Sequence, residues 1–169
     1  VFLGPTSSAE PGENPNITRW SEGTIVYRTI EAQRLRARET WRLTAHPDGS
    51  RTIRSFVDNF DAETNLNIIH RVSADFRPLE SLVTYWTRGE YRGAGMFTVN
   101  GSTLNAYVSG PYGTATENVE VPEKFSIAPH PLATDSWHTW YFDKGTGGVQ
   151  TTTIYNLQVT APENGIPVL

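Results

Sequence analysis

From residue 23 to about residue 121 apolar and polar side chains alternate with a period of two, the pattern of strands with one buried face. The clearest stretch is 34–44. Arg34, Arg36, Arg38, Thr40 and Arg42 fall on one face, and Leu35, Ala37, Glu39, Trp41 and Leu43 on the other. An arginine face must meet water, so the second face is expected to point inward, which sets Glu39 among apolar neighbours. The same alternation predicts strands at Gly23–Glu31, 51–60, 66–73, 80–88, 94–99, 103–109, 114–121 and 149–160. In the 66–73 strand Leu66, Ile68, His70 and Val72 share a face, and in the 114–121 strand Glu117 shares one with Ala115, Val119 and Val121. Turn chemistry separates these runs. Asp48-Gly49 and Asn100-Gly101 supply the positive φ that tight hairpins need, and Phe76-Arg77-Pro78-Leu79 turns the chain again.

Residues 125–143 break the alternation. Pro129 and Pro131 bias the residues before them toward extended backbone, with His130 clamped between them. Thr134 or Asp135 is placed to N-cap a short helix over about 135–143. Trp137, Trp140 and Tyr141 then fall at i, i+3 and i+4 and form one apolar stripe, suited to corking the end of a barrel.

About nine short strands, tight turns and one helix predict an all-β fold, an antiparallel up-and-down β-barrel with the helix plugging an end. A two-sheet sandwich is the alternative. The domain is expected over 20–160, with a proline-rich arm at 1–19 and a tail at 161–169. The order of elements resembles that of the calycin or lipocalin-like barrels of bacteria: a strand meander, an aromatic helix from Asp135 to Phe142, then a Gly145-Thr146-Gly147-Gly148 turn into a closing strand. The resemblance implies a cavity that holds a ligand. It carries over no catalytic residue, and the lipocalin-type Gly-x-Trp near the first strand is absent.

Composition narrows the function classes. A net charge of −4 argues against a surface that tracks phosphates, so no nucleic-acid partner is expected. No apolar run approaches the roughly 18 residues of a spanning helix. With no cysteine there is no thiolate nucleophile and no Cys-type zinc site. The lack of cysteine and of a signal peptide in this chain leads us to expect the cytoplasm rather than the periplasm. The four histidines lack His-x-His or His-x-x-x-His spacing, so neither a metal nor another cofactor is expected. The oligomeric state is open, a homodimer included.

The candidate chemistry is proton transfer. Asp135 and His138 stand three apart, close enough on a helix for the carboxylate to fix the imidazole tautomer and raise its basicity. A carboxylate on an inward face, as at Glu39 and Glu117, would have its pKa raised toward a useful range or else be paired, with Arg28, Arg54 or Arg71 as partner. The expected catalytic residues are Glu39, His138, Asp135 and His130. The expected ligand contacts are Trp41, Tyr85, Trp86, Tyr107, Glu117, Trp137, Trp140 and Tyr141, with Tyr27 and Tyr155 as further phenol donors. The expected function is that of a cofactor-independent isomerase, cyclase, lyase or hydratase acting on a small hydrophobic or aromatic molecule. The alternatives are a binding protein with the same cavity and a structural or envelope-associated barrel with a filled core.

Overall fold

The computed structural model describes residues 19–111, 113–128 and 130–156. Eight consecutive strands form one antiparallel meander in sequence order: β1 (Arg19–Arg28), β2 (Leu35–Ala45), β3 (Arg51–Asn59), β4 (Thr64–Val72), β5 (Pro78–Thr87), β6 (Glu90–Asn100), β7 (Thr103–Gly110) and β8 (Gly113–Glu120). The eight strands predicted between residues 23 and 121, and the hairpins that join them, are all present within this sheet. Gly101, at φ 61°, makes the β6–β7 hairpin. Among the described residues β1 pairs only with β2 and β8 only with β7, so the sheet is large and antiparallel but its closure into a barrel is not found. No described helix is long and apolar enough to cross a membrane.

The described residues after β8 pack against one face of the sheet. They include β9 (Phe125–Ala128), a 3₁₀ helix (Leu132–Tyr141) and β10 (Thr153–Asn156), with β9 and β10 paired in parallel. The expected closing strand at 149–160 is therefore short and begins at Thr153; residues 157–160 lie outside those described. It joins β9 rather than the meander, because the intervening segment carries the chain over the sheet instead of along its edge.

The inward face is the one the alternation selects. Ala37 and Glu39 of β2, Ile53 and Ser55 of β3, and Ile68, His70 and Val72 of β4 are all buried, whereas Arg34, Arg36, Arg38 and Arg42 are exposed. Arg34 and Arg36 both pair with Asp61 in the β3–β4 turn. At β1 the inward position opposite Trp41 is Gly23, where a Cβ would stand 2.7 Å from the indole, so the ring occupies the missing side chain's space. The main apolar cluster joins Phe97, Leu104, Ala106 and Val108 of β6 and β7 to Val121, Phe125 and Ile127. The segment after the meander is thus part of the core and fixes what faces the sheet.

Candidate functional site

The helix is where the structure departs furthest from local sequence signals. It starts at Leu132, not 135, with Pro131 as N-cap and no side-chain cap of its own. The cap comes from β2. Glu39, 0 % exposed, accepts hydrogen bonds from the backbone N–H groups of Leu132 (3.2 Å to Oε2) and Ala133 (3.4 Å to Oε1). The same carboxylate accepts from Tyr27 Oη at 2.9 Å and Ser55 Oγ at 2.9 Å. Four donors therefore satisfy the buried charge, and the helix's positive end lies against it. Burial first, and then the Glu39 contact, push the Tyr27 phenol up well above its ordinary range. Arg28, Arg54 and Arg71 are not partners of Glu39: Arg28 bonds the Gln33 carbonyl, Arg71 pairs with Glu80, and Arg54 is exposed on the outer face.

At the other end of the helix Tyr141 Oη donates to the Phe76 carbonyl at 3.0 Å, and the Phe76 ring meets Trp137 at 5.6 Å and Trp140 at 4.4 Å. The apolar stripe is thus gathered at one anchor, though Trp140 remains 58 % exposed. Phe76 itself has φ 64°, an uncommon conformation for a bulky residue, held by the turn that closes between Ser73 and Arg77. The 3₁₀ form suits a helix tied at both ends. It rises ~2.0 Å per residue against ~1.5 Å for an α-helix, so the same residues reach further between Glu39 and Phe76.

With three residues per turn, Asp135, His138 and Tyr141 share a side of the helix. His130, held ahead of the helix, meets that side. Its Nε2 lies 2.6 Å from His138 Nε2, and its Nδ1 lies 3.1 Å from the Pro131 carbonyl oxygen and 3.4 Å from Asp135 Oδ1. His138 Nδ1 is hydrogen-bonded to Ser126 Oγ. The Asp–His pair expected from spacing is therefore relayed: Asp135 reaches His130, and His130 reaches His138. A carbonyl only accepts, so His130 Nδ1 carries its proton there. In the neutral pair His130 Nε2 then accepts from His138 Nε2–H, which leaves His138 Nδ1 as acceptor for the Ser126 hydroxyl. Burial, reinforced by repulsion from His130 and opposed by Asp135, holds the His138 pKa below its ordinary value, so its ring is neutral at pH 7.

His138 opens on a pocket of about 440 Å³ lined also by Lys124, Tyr141, Phe142, Thr152 and Ile154. A second pocket, of about 560 Å³, lies between the β1–β3 end of the sheet and Leu132, with Val26, Ala37 and Val57 as apolar walls and Arg28 and Arg36 alongside.

The other predicted contact residues are scattered. Trp41 is half-buried over Gly23, and Tyr85 is half-buried on the inner face opposite Leu66. Glu117 sits on inner-face β8 opposite Ala106. Trp86 packs edge-on against Tyr91 at 5.7 Å, beside the irregularity between Tyr85 and Trp86. Tyr107 pairs with Met96 on the outer face, 41 % exposed, and so points away from Glu39. Tyr155 packs on Phe125 at 5.8 Å.

Two residues outside the expected catalytic set matter. Ser126 was part of an extended run with no motif around it, and only the fold brings it to His138. His70 is buried between Phe97 and Trp137, and its Nδ1 makes no hydrogen bond. Burial, then the nearby His130 and His138, lower its pKa to about 3. His130, Asp135 and His138 each offer one ligand atom, all within 4.8 Å of one another, so they could hold a divalent cation. Contacts eight residues apart across a proline fall outside the spacings by which a sequence announces such a group.

The chain matches no protein-family model, no curated protein and no solved structure.

Proposed function

We propose that the protein is a cofactor-independent enzyme that moves a proton on a small hydrophobic or aromatic molecule, with His138 as the base. The reaction belongs to the isomerase, cyclase or lyase and hydratase types. The observation that carries this reading is the hydrogen-bonded series Asp135, His130 and His138, ending on a pocket with Tyr141, Phe142 and Ile154 in its wall. A neutral, oriented imidazole beside an apolar wall is what general-base chemistry near neutral pH requires. Glu39, shut away and engaged by four donors, serves in this reading to position the helix that bears His138.

The test is catalysed exchange of acidic C–H protons for deuterium. Small aromatic ketones and aldehydes are incubated with the protein in D2O and followed by NMR. The expected result is exchange that His138→Gln abolishes while leaving binding, read by tryptophan fluorescence, unchanged. Because the base works in its neutral form and its pKa lies below the ordinary 6.5, the rate is flat through neutral pH and falls only on the acid side of 6.5. Undiminished exchange in His138→Gln would sink the assignment.

A non-catalytic carrier is the second reading. It is favoured by the 560 Å³ pocket, whose described lining includes the apolar Val26, Ala37, Val57 and Leu132.

A further inference from the structure

We infer that Ser126 is a nucleophile and that the site hydrolyses small esters with an apolar acyl group. This rests on the reading of His138 as a base and adds an acyl-transfer activity to it. Ser126 is 7 % exposed, and its hydroxyl is bonded to the one His138 nitrogen that accepts. Its strand neighbours locate it. Lys124 immediately precedes β9, Ile154 is the partner of Ser126 on β10, and both line the 440 Å³ pocket together with His138. The serine therefore lies just behind the pocket wall, against His138, and the ester carbonyl has to reach it past His138 and Ile154. The order Ser126, His138, His130, Asp135 reproduces the logic of an activated serine: nucleophile, base, then groups that orient the base and stabilise its charged form.

The step balances without a co-reactant other than water. Ser126 Oγ bonds to the ester carbonyl carbon and passes its proton to His138 Nδ1. The imidazolium so formed is stabilised by donating its Nε2–H to His130 Nε2, with Asp135 beyond. The carbonyl oxygen gains negative charge, and Lys124 in the pocket lining is the cation that would offset it. Collapse of the adduct breaks the bond to the alkoxy oxygen, which leaves as the alcohol with the proton from His138. Water then bonds to the acyl carbon as His138 Nδ1 takes its proton, the bond to Ser126 Oγ breaks, Oγ takes that proton back from His138, and the acid leaves. Tyr141, Phe142 and Ile154 supply the wall for the acyl chain.

The experiment uses p-nitrophenyl butyrate as substrate and phenylmethanesulfonyl fluoride as covalent probe. The expected result is a single sulfonyl adduct that peptide mapping places on Ser126. In Ser126→Ala and His138→Gln, kcat/KM for the ester falls by about 10²-fold or more. His130→Gln, which removes a positioning residue, lowers kcat with KM unchanged. Circular dichroism of Ser126→Ala matching the unmodified protein shows that loss of activity is not loss of fold. If Ser126→Ala hydrolyses the ester normally, or the label lands elsewhere, the nucleophile assignment is overturned. Deuterium exchange that persists in Ser126→Ala but not in His138→Gln then shows that the proton-transfer reading stands without it. Ester hydrolysis abolished by EDTA and restored by zinc would also overturn the proposal, since it would make His130, Asp135 and His138 ligands of a cation.

Discussion

A buried imidazole with an unmade hydrogen bond links stability to pH, and His70 is that residue here. Its pKa is about 3 in the folded protein against an ordinary 6.5. Above pH 6.5 the ring is neutral in both folded and unfolded chains and contributes no pH dependence. Between 6.5 and 3 the unfolded chain binds a proton that the folded one refuses, so stability falls as the pH falls, levelling only below 3. The expectation is that His70→Gln flattens this acid limb. Urea midpoints measured from pH 7 to pH 4 check it, and curves that run parallel for the two proteins would contradict the account. His70 also sits between Phe97 and Trp137, so acid that charges it loosens the contact beneath the helix.

At the scale of elements, the helix depends on a residue 93 positions away. Local capping by Thr134 or Asp135 is replaced: the Thr134 hydroxyl turns back to the Pro131 carbonyl, and Asp135 faces His130. The N-terminal N–H groups find Glu39 instead. Glu39→Gln keeps the shape but replaces one accepting oxygen with an NH2 group that faces donors. Each donor left unsatisfied costs about 1–3 kcal/mol, so a loss of that order is expected in urea unfolding. The loss should be accompanied by faster amide exchange at Leu132 and Ala133, and unchanged protection at those two amides would refute the cap. Phe76 performs the matching role at the other end, where its turn conformation presents both the ring and the carbonyl to the helix.

At the scale of the molecule, the sheet does not hold its core alone. Phe125 and Ile127 are 0 % and 1 % exposed and complete the cluster around Phe97 and Leu104. The Arg77 guanidinium lies 5.1 Å from the Phe125 ring, so the segment is tied to the sheet at several points. Phe125→Ala should cost about 3–5 kcal/mol, a large share of the roughly 5–15 kcal/mol that stabilises an ordinary domain. Denaturant unfolding with tryptophan fluorescence measures it. Since Ser126 lies between Phe125 and Ile127, the same packing that stabilises the molecule also holds Ser126 against His138.

The sequence by itself determined the eight strands of the meander, their turns and the buried face of β2, because a period of two and residues such as Asp48-Gly49 and Asn100-Gly101 are local physics. It also singled out Glu39, His130, Asp135 and His138, since a carboxylate on an apolar face and a histidine between prolines are anomalies visible in one dimension. Closure could not be read there: a meander has the same local pattern whether its ends pair or not, and β1 and β8 are not paired in the described structure. Nor could partners. Glu39 reaches Leu132, and Ser126 reaches His138, only because the last segment folds back over the sheet, and contacts made at long separation leave no period in the chain. Tertiary structure alone decided that a buried glutamate would cap a helix and that a serine without a motif would face a histidine.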